Sequence, residues 1–223
     1  MIHIVSRLGL TAQSCVVLYL RSGPRSPKPD PGRLPTTTHT DWSRFPVSRL
    51  NVLPADEPSA DVRSTLDQVG AQFGFVPNMF TMLASNPTVL DLVMTVQAKA
   101  SRLLDARTRH TIALAVSEAD GCDYCLALHT AGSLKGGMSA ADIELARAGS
   151  SVDPKRAAVA RFAQQVIETR GRVSDADLAA VRGAGYTDPE ILAIVTLVVR
   201  ALLTNYLNNV NLTDVDIPAP DLA

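Results

Sequence analysis

Cys122, Cys125 and His129 stand three and four residues apart in the stretch Cys122-Asp-Tyr-Cys125-Leu-Ala-Leu-His129. Offsets of three, four and seven return to one face of an α-helix, so these side chains share a stripe. Two thiols that close can cycle between dithiol and disulfide, and a neighbouring imidazole can move the protons the cycle requires. Cys122 falls at the start of the helix, where unpaired backbone N–H groups and the helix dipole favour a thiolate. Cys125, one turn deeper, can close a disulfide back to it. The same residues also supply zinc ligands, with His110 on the preceding helix as a fourth. Three ligands on one helix close poorly around a tetrahedral ion, which counts against that reading. His129 taken alone is equally a core histidine; its offset from Cys125 is what lends it chemistry. Glu118, near the end of the preceding helix, is either a proton acceptor for the motif or a solvated carboxylate. Asp123 reads as a first-turn acid and Tyr124 as a packing residue.

The elements that must hold these groups are all helical. Ser59 caps a helix to Phe73, with Val62, Leu66, Val69 and Phe73 at helical spacing and Gly74 as the stop. Asn78 to Ala84 reads as a short helix ended by Asn86-Pro87. Thr88 to Leu103 carries Leu92, Val96, Ala100 and Leu103 on one stripe. Asp105 caps a helix to Ala119, with Ile112, Ala115, Val116 and Ala119 inward. Asp120-Gly121 breaks the chain before the motif helix, Cys122 to about Leu134, which Gly136-Gly137 closes. Ser139 caps a helix to Ala148, Asp153-Pro154 starts one to Arg170, and Ser174 caps one to Arg182. Asp188-Pro189 starts the last helix, through Val210, with proline in the favoured first turn. Its segment Ile191–Leu203 is apolar nearly all round, as for a helix central in a core or buried between subunits, and reads as too short and interrupted to span a bilayer. No strand pattern appears between residues 45 and 218. The expected fold class is all-α.

Composition narrows the rest. A chain of 223 residues with 46% hydrophobic residues buries a full core. Lys and Arg total 21 against 22 Asp and Glu, for a net charge of -1, so no basic face for nucleic acid is expected. Of the three cysteines, two form the motif and Cys15 stands apart, which argues against a secreted disulfide scaffold and suits a cytoplasmic protein. The apolar run Leu8–Leu20 is too short and polar for a membrane span and lacks a clean cleavage site, so neither a membrane partner nor a secretory signal is expected. Pro24, Pro27, Pro29, Pro31 and Pro35 lie among Ser, Thr, Lys and Arg. Residues 1–44 therefore read as a disordered extension, 45–218 as the single folded domain, and 219–223 as a tail.

The segment ARTRHTIALAVSEADGCDYCLALHT, residues 106–130, resembles the AhpD-like alkylhydroperoxidase and carboxymuconolactone decarboxylase superfamily. GFVPNMF at 74–80 and TNYLNNVNLTDVDIP at 204–218 are similar to flanking signatures of one branch of it, extending the resemblance over roughly residues 47–218. The resemblance implies an AhpD-like all-helical fold and a homo-oligomer, trimer or hexamer. It implies a thiol peroxidase in which Cys125 attacks a hydroperoxide substrate and Cys122 resolves the sulfenic acid into a disulfide. It also implies a histidine relay through His129, no bound cofactor, and reduction by an external thiol or a dihydrolipoyl protein. One position departs from the pattern: His110 stands where the family carries a relay glutamate. An imidazole can shuttle protons but cannot give His129 a fixed negative charge. Glu118 lies two turns further along, about 80° away on the helical wheel, and is the substitute candidate. Two alternatives accompany this reading: a lactone decarboxylase of the same superfamily, which does not need the cysteine pair, and a non-catalytic zinc-stabilised helical module.

Overall fold

The computed structural model describes residues 49–50 and 58–218. The expected N-terminal extension, with its proline-rich stretch and Cys15, and the tail 219–223 lie outside the described residues. Among the described residues there are nine helices and no strand. They are α1 (Ala60–Phe73), α2 (Asn78–Ala84), α3 (Pro87–Ala100), α4 (Ala106–Ala119), α5 (Asp123–Lys135), α6 (Ala140–Arg147), α7 (Pro154–Glu168), α8 (Asp175–Gly183) and α9 (Asp188–Asn211). The all-α expectation holds.

The capping residues act where the sequence puts them. Ser59, Asn86, Asp105, Ser139, Asp153 and Ser174 each accept a backbone N–H in the first turn of the helix that follows, satisfying donors that have no partner within the helix. Proline occupies the first turn of α3, α7 and α9, where its missing N–H costs nothing.

α4 is the axis of the domain. Its residues Thr111 to Ser117 are all buried, and it packs against α5, α6, α7 and α9. The main core joins Ile112 and Val116 of α4 to Val159, Phe162 and Ala163 of α7, Val181 of α8, and Ile194, Leu197 and Val198 of α9. A second core gathers Val62 and Val69 of α1, Phe80 and Leu83 of α2, and Leu90 and Val93 of α3 around Cys122 and Cys125. The motif is thus enclosed by the N-terminal helices rather than displayed on the surface.

Three expectations are corrected. α3 faces inward through Leu90, Val93 and Ala100, while Leu92 is exposed. The true stripe carries the polar Gln97 at its site-facing position, which hid it from an apolar count. Ala119 is exposed where it was expected inward. α9 runs for 24 residues and, by length and composition, suffices to cross a membrane. The chain from Ile191 to Leu203 understated it because the helix continues through polar residues that the domain itself buries: Thr204, Asn205, Asn208 and Asn211.

Candidate active site

The site begins with a turn. α4 ends in a paired closure: the Gly121 N–H donates to the Glu118 carbonyl at 3.1 Å and the Cys122 N–H to the Ser117 carbonyl at 2.9 Å. This requires a left-handed residue between them, and Gly121 supplies it with φ 59°. The same closure makes Cys122 the N-cap of α5, and its sulfur accepts the Cys125 N–H at 3.4 Å. One glycine therefore fixes the sulfur at the positive end of a helix.

Both thiols are free and almost fully buried, at 0% and 1% exposure. The Cys125 thiol donates to the Cys122 sulfur. That bond holds the Cys122 thiol below its ordinary pKa, against burial, with a further contribution from the Cys125 N–H. The same bond, with burial and the charge on Cys122, pushes the Cys125 thiol well up. Of the two, Cys122 is thereby the thiol biased toward the anion and Cys125 the one biased toward keeping its proton.

α9 closes the site from the other side. The Asn208 amide donates to the Cys125 sulfur at 3.5 Å and to the Thr204 carbonyl at 2.9 Å. Asn208 and Thr204 both act to lower the Cys125 pKa, opposing the larger effect of the thiol pair. Asn205 donates to the Asp120 carboxylate at 3.0 Å and Asn209 to the Asp120 carbonyl at 3.1 Å, so α9 clasps the turn that places Cys122. Burial raises the Asp120 pKa despite the Asn205 bond. Tyr124, between the cysteines, is more than packing. Its hydroxyl accepts the Met79 N–H at 3.1 Å and donates to Asp216 at 3.1 Å, while the other Asp216 oxygen accepts the Asn78 N–H at 2.8 Å. One clamp ties the motif helix, the start of α2 and the C-terminal segment.

His129 and His110 are brought together. Their rings meet edge-on with centroids 6.4 Å apart, and His110 lies over α5 at Gly132, where an added Cβ would stand 3.2 Å from its Cε1. Burial holds His129 well below its usual pKa, helped by the nearby charges of Arg200 and His110. His110 is lowered by burial and by Arg109 and Arg200. Both rings are neutral at pH 7. Neither is hydrogen-bonded to a sulfur, so the geometry joins imidazole to imidazole and thiol to thiol. Glu118 is not brought to this group: it is exposed and paired with Arg147 of α6 at 2.7 Å, because its place on the α4 wheel faces α6. Among the described residues no three His, Cys, Asp or Glu side chains converge so as to hold a metal ion.

Sequence reasoning missed Arg200, Gln97, Thr204 and Asn208 as site residues. Arg200 donates to Gln97 at 2.6 Å and lies near enough to Cys125 to interact with a thiolate there. The available signal was a polar series on α9, spaced four apart, inside a helix otherwise apolar.

Residues 87–168 match the model of the carboxymuconolactone decarboxylase family. No functionally curated protein matches the chain. Solved structures share the fold, three of them as follows. The alkylhydroperoxidase AhpD core of an uncharacterized peroxidase-related protein from Ralstonia eutropha JMP134 is 24% identical with a TM-score of 0.69, over 77% of this chain and 94% of that one. An uncharacterized peroxidase-related protein from Silicibacter sp. TM1040 is 21% identical with a TM-score of 0.66, over 73% of this chain and 88% of that one. A variant of the debrominase Bmp8 in complex with 2,3,4-tribromopyrrole is 15% identical with a TM-score of 0.64, over 76% of this chain and 92% of that one. Residues 87–168 are thus similar to the carboxymuconolactone decarboxylase family, and the chain shares its all-helical fold with AhpD-like structures.

Proposed function

We propose that the protein is a thiol-dependent hydroperoxide reductase working through a Cys122–Cys125 dithiol–disulfide cycle. The observation that carries this reading is the hydrogen-bonded, almost fully buried dithiol at the N-cap of α5, with the Cys122 pKa lowered and that of Cys125 raised. A proton shift from Cys125 to Cys122 leaves a Cys125 thiolate facing the Asn208 amide, the Thr204 hydroxyl and the Arg200 charge, all of which favour the anion. That thiolate attacks the terminal peroxide oxygen. The O–O bond breaks, Cys125 becomes a sulfenic acid, and the alkoxide takes the Cys122 proton to leave as an alcohol. The Cys122 thiolate then attacks the sulfenic sulfur, forming the disulfide and releasing hydroxide, which is protonated from solvent through His129 and His110. The peroxide gains two electrons and the dithiol loses them; an external thiol or dihydrolipoyl donor restores the dithiol. The apolar enclosure around the cysteines shields the sulfenic acid from side reactions. Lactone decarboxylation would leave this hydrogen-bonded thiol pair without a task. Leu192, Val199, Tyr206 and Val210 are exposed along α9, which supports the homo-oligomer that belongs to this reading.

The test is trapping with dimedone, followed by mass spectrometry, after one equivalent of peroxide. Cys122→Ser protein should carry one dimedone adduct on Cys125 and turn over poorly; Cys125→Ser protein should show neither adduct nor turnover. Steady-state peroxide consumption by the double variant at the wild-type rate would end the proposal.

A further inference from the structure

A cavity lies on the His129 side of the site, between α1, α3, α4, α5 and α9, with a volume of about 300 Å³. Gln97, Arg109, His110, His129 and Arg200 contribute its polar walls, and none of its lining side chains is acidic. Its two guanidinium groups have no carboxylate partner among the described residues. Arg200 spends one N–H on Gln97, and its Nε is buried with no partner at all. Arg109 donates to the carbonyls of Leu103 and Leu104, holding the turn before α4 in which Leu104 has φ 51°. A half-buried cation without a counter-ion, carrying an unsatisfied N–H, is costly to maintain. Both costs vanish if an anion enters the cavity.

We propose that this cavity seats the carboxylate of the substrate, so that the preferred hydroperoxide is a short-chain hydroperoxy acid. The proposal rests on the peroxide-reducing reading above and names its substrate class. Arg200 is the anchoring residue. Its planar fork suits a carboxylate, with Nε and a terminal nitrogen on one edge. The position is apt for a reacting molecule because Arg200 lies on the face of α9 that continues through Thr204 to Asn208, the residue bonded to Cys125. Arg200 also stands near enough to Cys125 for their charges to interact, so a carboxylate held at Arg200 lies beside the dithiol. The volume is at the low end for ligand pockets, of roughly 300–1,000 Å³, which excludes a bulky acid. The neutral state of both imidazoles leaves the guanidinium groups as the attracting charges.

Two measurements test this, one of them independent of turnover. Calorimetric titration of the full chain, in its reduced form, with hexanoate and with hexanamide should show hexanoate binding at least about tenfold tighter, the difference a charge-assisted pair makes in a sheltered site. The preference should disappear in Arg200→Met and persist in part in Arg200→Lys, which keeps the charge but loses the fork. In turnover, the ratio of kcat/KM for a short-chain hydroperoxy acid to that of its methyl ester should be about tenfold or more in the wild type and fall toward one in Arg200→Met. Equal binding of hexanoate and hexanamide by the wild type overturns the proposal even if peroxide is reduced. Selective hexanoate binding with no reduction of any hydroperoxide leaves the anion site standing and defeats the activity assigned to the dithiol. Should Arg200→Met fail to fold, the wild-type comparison and Arg200→Lys still decide the matter.

Discussion

Tyr124→Phe removes one oxygen and tests whether the C-terminal segment holds the motif helix in place. The hydroxyl makes two bonds, one from the buried Met79 N–H and one to the Asp216 carboxylate. Losing the first leaves a buried donor without a partner, at about 1–3 kcal/mol; losing the second removes a bond to a charged acceptor, worth about 1.5–3 kcal/mol when sheltered. Asp216 is only half-buried and keeps its bond to the Asn78 N–H, so water replaces much of the second loss. Phenylalanine also avoids the cost of burying a hydroxyl. The net expectation is a loss of about 2–3 kcal/mol. Urea unfolding followed by circular dichroism should show it as a lower midpoint at unchanged slope. Asp216→Asn should cost less by itself, because its amide oxygen still accepts from one partner. The double variant should show a coupling of at least about 0.5 kcal/mol, since the two residues share one network. A loss below about 0.5 kcal/mol for Tyr124→Phe would mean that the clamp contributes nothing, and that α5 is held by apolar packing alone.

Two further outcomes follow from the imidazole pair. Gly132→Ala should raise helix stability, by up to about 1 kcal/mol, yet lower peroxide turnover several-fold, because its Cβ would stand 3.2 Å from His110 Cε1 and displace the ring; thermal melts and steady-state rates measure both, and unchanged turnover would remove His110 from the proton path. His129 and His110 have folded-state pKa values below the ordinary histidine value of about 6.5, set by burial and by Arg200 and Arg109. Below about that pH the unfolded chain binds protons that the folded one refuses, so stability is full above it and is lost as pH falls further. His129→Gln should flatten this dependence in urea titrations between pH 7 and pH 5, and an unaltered slope would show that the rings titrate normally.

The helices were legible because their ends are written in short-range chemistry. Asp105, Ser139 and Ser174 accept first-turn N–H groups, and the Asp120-Gly121 break became a paired helix closure. The cysteine pair was legible for the same reason, since three residues separate a cap from the first-turn N–H it accepts. The helix-terminus argument for Cys122 as the more acidic thiol also agrees with its lowered pKa beside a raised Cys125. Glu118 was misjudged because eight residues of helix carry a side chain to a different neighbour, and no local signal reveals that Arg147 of α6 waits there. The Tyr124–Asp216 bond spans 92 residues, and a pairing of that range leaves no trace in local spacing.

α9 shows why the other half of the site stayed hidden. A helix at a surface is expected to turn its apolar residues inward, yet here Asn205 is 0% exposed while Tyr206 is 56% exposed. The inversion has a physical cause. The turn that places Cys122 leaves the Asp120 carboxylate and carbonyl facing the interior, and only donors from α9 can satisfy them there. The Cys125 sulfur adds a third acceptor, met by Asn208. Burying amides at these positions pushes the apolar side chains of the same turns outward, leaving Tyr206 and Val210 on the surface. The exposed apolar stripe and the buried polar ladder are thus one consequence of serving the dithiol. Replacing Asn205 by leucine, a better match to the helix's apolar composition, should destabilise the domain by about 1–3 kcal/mol, because it strands the half-buried Asp120 carboxylate and the Ser117 hydroxyl. A gain in stability would show that hydrophobic burial, and not the capping of the Cys122 turn, dictates how α9 is oriented.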